Sequence, residues 1–196
     1  MTFLICLPIR NSMALILKKP LVFVGMMGAG KTAVGKAVSQ VLNVPFLDSD
    51  SELEKAANLT IPEIFDRHGE AFFRKKETQV ITRLLGSQLC VLSTGGGAFI
   101  SEQNRAAISA QAVSVWLNVD LDVLWNRVRH KGNRPLLKTS DPFATLKSYY
   151  DKRQSFYALA DIELRSNAFN SIDEMALKVI AALRTKPELI EEKNDA

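Results

Sequence analysis

Residues 25–32 read Gly-Met-Met-Gly-Ala-Gly-Lys-Thr, directly after the apolar run Leu21-Val22-Phe23-Val24 and directly before helix-forming sequence from Thr32 to Leu42. This G-x-x-x-x-G-K-[ST] pattern constrains the fold more than any other feature, because it requires a strand, a glycine-rich turn and a helix in immediate succession. The turn lets backbone N–H groups close around a polyphosphate, and the helix N-terminus adds its positive end. Lys31 is then placed to reach the β- and γ-phosphates, and the Thr32 hydroxyl to ligate Mg²⁺. With average glycine and lysine usage, the four fixed positions coincide by chance in such a chain only about once in a hundred cases. The chain is therefore expected to bind a nucleoside triphosphate.

Its 196 residues suit one domain with a sizeable core, at 47% apolar and 23% charged content. The net charge is +4, but the arginines are scattered singly through the second half. A nucleic-acid reader concentrates them on one face or helix, so a site for several small anions, such as phosphates and a substrate carboxylate, explains them better. Cys6 and Cys90 have neither C-x-x-C nor zinc spacing, which fits a reducing cytoplasm. The longest apolar piece near the N-terminus, Phe3 to Leu7, is far too short to span a bilayer. No signal peptide pattern is present, and no membrane association is expected. Met13 opens a second plausible start, so residues 1–12 are expected to be disordered or absent from the native protein. An intact mass counting from Met1 would refute that. Residues 1–19 are read as a partly disordered extension, 20–184 as a single domain, and 185–196 as a frayed, flexible tail.

Apolar β-favouring runs alternate with stretches of helical period, which predicts a parallel sheet wrapped by helices. Strands are expected at 21–24, 45–47, 90–93, 114–118 and 161–164. Helices are expected near 32–42, 51–57, 61–65, 71–85, 101–109, 121–129, 145–157 and 172–184. Ligands of an open parallel sheet sit beyond the carboxyl ends of its strands. After the second strand comes Asp48-Ser49-Asp50, two carboxylates that alternate onto one side and suit a Mg²⁺ and a hydroxylated substrate. The competing reading is a helix N-cap at Asp50-Ser51, with Ser51 and Glu54 as a capping box. After the third strand comes Ser93-Thr94-Gly95-Gly96-Gly97, more glycine than a plain turn needs, which suggests close backbone approach to a ligand. The stretch from about Arg129 to Pro142 is a loop long enough to be a lid, and Arg134 on it would reach a transferring phosphoryl group. Taken alone, Arg74 and Arg153 read as solvated helix charges. His68 and His130 stand without ligand or triad partners in sequence and receive no chemistry. Trp116 and Trp125 read as packing residues.

Together, Gly25–Thr32, Asp48-Ser49-Asp50, Phe73-Arg74, Gly95-Gly96-Gly97, Arg134-Pro135-Leu136-Leu137 and Lys152-Arg153, in this order and spacing, resemble the shikimate kinase family. The resemblance runs from Leu21 to about Arg184. It implies an α/β three-layer P-loop kinase fold, with a central five-stranded parallel sheet of order 2-3-1-4-5 and a mobile lid. It also implies ATP-dependent phosphorylation of the 3-hydroxyl of shikimate, a step of aromatic amino-acid biosynthesis, by a cytoplasmic monomer. By that resemblance Gly28, Ala29, Gly30, Lys31, Thr32 and Ala33 would hold the ATP phosphates, with Arg127 along the adenine and Arg134 descending with the lid. Thr32 and Asp48 would hold Mg²⁺. Asp50 would take the substrate hydroxyls, Arg74 and Arg153 its carboxylate, and Gly95, Gly96 and Gly97 would contact it through backbone. Lys31, Asp50 and Arg134 are the implied catalytic residues. The stretch Ser166 to Ser171 matches the family's adenine loop only loosely.

Two other readings share the phosphate loop. A gluconate kinase also carries an acidic pair after its second strand, but the triple glycine and the Arg74/Arg153 pair fit a cyclic acid better. A nucleotide-binding regulator that lost turnover should have lost at least one of Lys31, Thr32, Asp48, Asp50 and Arg134, and all are present.

Overall fold

The computed structural model describes residues 14–130, 135–137 and 139–193. Five parallel strands form the central sheet: β2 (Leu21–Val24), β3 (Phe46–Asp48), β4 (Val91–Ser93), β5 (Val113–Val119) and β6 (Ile162–Ser166), in the order β3-β4-β2-β5-β6. Counted from Leu21, that is the expected order 2-3-1-4-5. All four residues of β2 are fully buried, as the unbroken apolar run Leu-Val-Phe-Val requires of a strand covered on both faces. Helices α1 (Lys31–Val41) and α7 (Ile172–Arg184) pack on one another, as do α3 (Ile61–Ser87) and α4 (Glu102–Gln111). Right-handed crossovers put α1 and the α3–α4 pair on opposite faces of the sheet, and α7 lies with α1. The chain leaves β2 toward β3 but leaves β4 toward β5, so the connections diverge beside β2. A crevice opens there, beyond the strand ends.

Three local features differ from the sequence expectation. First, α2 (Ser49–Ala57) starts two residues early and is capped by Asp48, whose Oδ1 accepts from the N–H groups of Asp50 (3.1 Å) and Ser51 (3.3 Å). The expected Ser51–Glu54 capping box does not form, because Glu54 accepts instead from the Ile61 N–H at 2.8 Å. Second, the two helices expected at 61–65 and 71–85 are one run, α3, broken by non-helical geometry at Gly69 (φ 77°, ψ 174°). Its capping box is built from Thr60 and Glu63.

Third, residues 14–17 and 190–193 are paired strands where a loose extension and a frayed tail are expected. β1 (Ala14–Leu17) pairs antiparallel with β7 (Ile190–Lys193). Leu17, Leu189 and Ile190 are buried under this ribbon, while Glu191, Glu192 and Lys193 face solvent. Arg184 reaches Glu192 at 2.8 Å. The tail's polar composition hid two apolar residues that have a surface to cover. Residues 1–13 lie outside the described residues. So do residues 131–134, Arg134 among them, and residue 138 of the expected lid at 129–142. Within that stretch Pro135–Leu137 form a short 3-10 turn with Leu137 buried. Trp125 of α5 (Leu121–Val128) meets Phe143 of α6 (Pro142–Tyr157) edge-on at 5.5 Å, so the helices flanking the loop are packed together. No described helix is long and apolar enough to cross a membrane.

Candidate active site

The crevice is a cavity of about 530 Å³, lined by Gly28 to Ala33, by Asp48 and Asp50, by Ser93 to Gly96, and by Arg127. The phosphate loop holds its shape through glycines at positive φ: Gly25 at 133°, Gly28 at 85° and Gly30 at 95°. Gly28 is doubly constrained, because a Cβ there would lie 2.7 Å from Val128 Cγ1. Lys31 is buried, and its ammonium donates to the carbonyls of Gly25 (2.8 Å) and Met26 (2.9 Å), curled over the turn where a polyphosphate would sit. Arg127 spans the loop and the stretch after β6, with contacts to the Gly28 carbonyl (3.3 Å) and the Asn167 carbonyl (3.5 Å).

Beside the loop, Thr32 Oγ1 donates to Asp48 Oδ2 at 3.2 Å and lies 3.4 Å from Ser93 Oγ. One Asp48 oxygen thus caps α2 while the other faces Thr32. These hard oxygen donors suit a divalent cation that keeps most of its waters and shares phosphate oxygens. Among the described residues there is no cluster of three His, Cys, Asp or Glu side chains that would hold a metal without such help.

The triple glycine separates this phosphate end from a charged cluster. The Cα of Gly95 is so close to Asp50 and Glu77 that a Cβ would lie 2.7 Å from Asp50 Oδ1 and 3.2 Å from Glu77 Oε1. Gly97 is likewise against Arg74, with a Cβ placed 2.8 Å from both terminal guanidinium nitrogens. The Gly96 carbonyl accepts from Arg153 at 3.1 Å and from the Tyr157 hydroxyl at 2.5 Å. Arg153 is buried and lies over the Tyr149 ring at 4.5 Å, so it is not the solvated charge that its helical context alone suggests. The structure therefore brings Lys31, Thr32, Asp48, Asp50, Arg74, Gly95 to Gly97, Arg127 and Arg153 to one end of the sheet. Arg134 lies outside the described residues.

A family model for shikimate kinase matches residues 27–184. The chain belongs to the shikimate kinase family. It is 60% identical over 175 residues to a shikimate kinase of Ruegeria pomeroyi, covering 89% of this chain and 90% of that one. It is 58% identical to that of Cereibacter sphaeroides, covering 89% and 87%. Among solved structures it is similar to shikimate kinase from Acinetobacter baumannii in complex with shikimate, with a TM-score of 0.81, 34% identity, and coverage of 86% of this chain and 94% of that one. This family member is accordingly an enzyme of the kinase class.

Two members of the site escape the sequence reading. Glu77 is 1% exposed: its Oε2 accepts from Arg74 at 2.9 Å, and its Oε1 has no hydrogen-bond partner. Burial pushes its carboxyl above the ordinary range despite the opposing pull of Arg74, and Asp50 adds to the rise. Arg74 answers differently. Burial alone would lower its pKa, but Glu77 and Glu70 outweigh it and raise it. Arg74 is a third exposed and has two carboxylates, whereas Glu77 is enclosed beside another acid. Tyr157 is the second missed residue, its hydroxyl pushed up to about 12 by burial and kept as a neutral donor to Gly96. The signal for Glu77 is present in the sequence as Glu70-x-x-x-Arg74-x-x-Glu77, two acids at helical spacing around one arginine.

Proposed function

We propose that this chain carries out its family's reaction, ATP-dependent phosphorylation of the 3-hydroxyl of shikimate to give shikimate 3-phosphate and ADP, with the cluster above divided into two ends. The backbone of Gly28 to Ala33 and the Lys31 ammonium take the ATP phosphates, with Arg127 against the base. On nucleotide binding Lys31 exchanges the two loop carbonyls for phosphate oxygens. Thr32 and Asp48 hold Mg²⁺, which when bound shields the β- and γ-phosphate charge. Asp50 accepts a hydrogen bond from the attacking 3-hydroxyl, orients it and takes its proton as the bond to phosphorus forms. Arg74 and Arg153 pair with the substrate carboxylate, and Gly95 to Gly97 present bare backbone to the ring. Arg134 comes to the transferring phosphoryl group.

The transition state of such a transfer is loose, so alignment and charge stabilisation do most of the catalysis. Lys31 and Arg134 act where negative charge concentrates in flight, a role in which a single preorganised donor supplies about 3 kcal/mol. The enzyme acts as a cytoplasmic monomer. The observation that carries the reading is the triple glycine. On one side it carries Asp50 beside the phosphate loop, and on the other it meets Arg74 and Arg153. A hydroxylated acid with its carboxylate and reacting hydroxyl at opposite ends would span that distance.

The test is ADP release from ATP and Mg²⁺ with shikimate, with gluconate, and with no acceptor. Release that requires shikimate and is lost in Asp50→Asn is expected. Release with gluconate would overturn the assignment of the arginines, and ATP binding without release for any acceptor would leave a nucleotide-binding regulator.

A further inference from the structure

Arg74 meets two acids of very different freedom. Its Nε and one terminal nitrogen both donate to Glu70 Oε1, at 3.2 and 3.1 Å, and its other terminal nitrogen donates to Glu77 Oε2 at 2.9 Å. A carboxylate ligand binds arginine best through two parallel N–H donors on one edge of the guanidinium. The end formed by the two terminal nitrogens lies against Gly97, where a Cβ would be 2.8 Å from each. The edge formed by Nε and its neighbouring terminal nitrogen is taken by Glu70. The Glu77 side chain is 2% exposed and enclosed, whereas that of Glu70 is 66% exposed. Glu70 is the first residue after the helix break at Gly69, and a Cβ at Gly69 would have nothing within 4 Å. Only the Glu70 carboxylate can rotate into water without exposing a buried charge.

We infer that Glu70 is a competing carboxylate, which occupies the one two-donor edge of Arg74 not closed by the Gly97 backbone until the substrate's own carboxylate displaces it, and which thereby sets how tightly and how selectively acids bind. The inference rests on the assignment of Arg74 to the substrate carboxylate. A third carboxylate brought to a guanidinium already shared by two would be repelled. Departure of Glu70 returns the count to two, with Glu77 kept on the other terminal nitrogen. Glu70 is then a specificity-determining residue that acts through Arg74 and touches no reacting atom. A ligand lacking a carboxylate has nothing to offer the guanidinium in exchange and leaves the pair closed.

The test is calorimetric Kd and steady-state KM for shikimate in wild type, Glu70→Gln and Asp66→Asn, with shikimate methyl ester as the uncharged probe. Asp66 is exposed one turn earlier on the same helix and controls for simple removal of a negative charge. For Glu70→Gln, shikimate Kd and KM are expected to fall about two- to fivefold, the range for displacing an exposed ion pair. The change should fall on KM for shikimate, not on kcat or KM for ATP, and should be absent for the methyl ester. Weaker shikimate binding in Glu70→Gln would show that Glu70 positions Arg74 for the substrate and would overturn the inference. An equal gain in Asp66→Asn, or with the methyl ester, would also overturn it. An Arg74→Ala variant with unaltered shikimate Kd would instead remove the parent assignment, a failure distinguishable from the others.

Discussion

The phosphate end and the carboxylate end of this crevice are built by different means. The phosphate end is backbone: eight consecutive residues, three glycines at positive φ, and one lysine bonded to the loop's own carbonyls. The carboxylate end is side chains: Asp50, Arg74, Glu77 and Arg153 arrive from three helices and gather around the Gly95–Gly97 backbone. A backbone site gets most of its positive potential from N–H dipoles fixed by the chain path, and its buried lysine is held by the loop's own carbonyls. A side-chain site must keep charges partly out of water, so each requires a partner, and one partner is left with an unsatisfied oxygen. The first kind is expected to fail by losing chemistry, the second by losing affinity or by shifting its titration.

The largest effect is expected at the phosphate end. Lys31→Ala should lower kcat by a hundredfold or more, corresponding to about 3 kcal/mol of lost transition-state stabilisation, while circular dichroism and ATP-free thermal melting show a folded protein. Arg134→Ala should behave in the same way. Turnover near the wild-type rate in either variant would remove that residue from the chemistry.

Next comes Arg74→Ala. Charge-assisted hydrogen bonds contribute roughly 1.5–3 kcal/mol, so shikimate Kd should rise by about tenfold to a hundredfold while ATP Kd holds. Equal losses for the two ligands by calorimetry would mean that the ends are not separate. The same glycine-to-alanine change sharpens the contrast. Gly28→Ala strains a left-handed backbone position and drives a methyl into Val128, so KM for ATP should rise. Gly97 has an ordinary φ of −100°, so Gly97→Ala costs nothing in backbone. Its methyl instead pushes on a guanidinium pinned by two carboxylates, and KM for shikimate should rise alone. A reversal of the two readouts would show that Gly97 shapes the phosphate site.

The same contrast explains what the sequence reveals. The phosphate loop, its strand and its helix are contiguous, so the pattern of Gly25–Thr32 carries the geometry by itself. The parallel strands are legible because most are apolar runs between helical stretches, and β6 reads as the alternation Ile-Glu-Leu-Arg-Ser. Arg74 and Arg153 are not legible locally: a helical arginine is usually solvated, and only the family resemblance assigns them a ligand. Glu77 escapes even that, because its burial depends on Gly95, contributed by the loop after β4. The β1–β7 ribbon escapes for a related reason. Its strands come from opposite ends of the chain, and solvated glutamates around Ile190 mask the apolar contact that holds it. The capping task of Asp48 is also hidden, since one oxygen caps a helix that starts earlier than its sequence suggests.

The smallest expected effect is the most specific to the carboxylate end. Burial raises the Glu77 pKa above its ordinary value of 4.5, Arg74 opposes the rise, and Asp50 adds to it. The folded chain therefore holds that proton more tightly than the unfolded chain. The group's contribution to stability is complete below the unfolded value and is lost as pH rises through the raised folded value. Glu77→Gln keeps an oxygen for Arg74 but does not titrate. The melting temperature of Glu77→Gln minus that of wild type should accordingly become more positive as pH rises above 4.5. Glu63 and Glu174, whose pKa values are lowered chiefly by backbone N–H bonds at helix N-caps, titrate in the opposite sense. Both are present in each protein, so they cancel in the difference. A difference that stays flat with pH would mean that Arg74 neutralises Glu77 fully in the folded state. The carboxylate end would then compensate its buried charge as the loop carbonyls compensate Lys31.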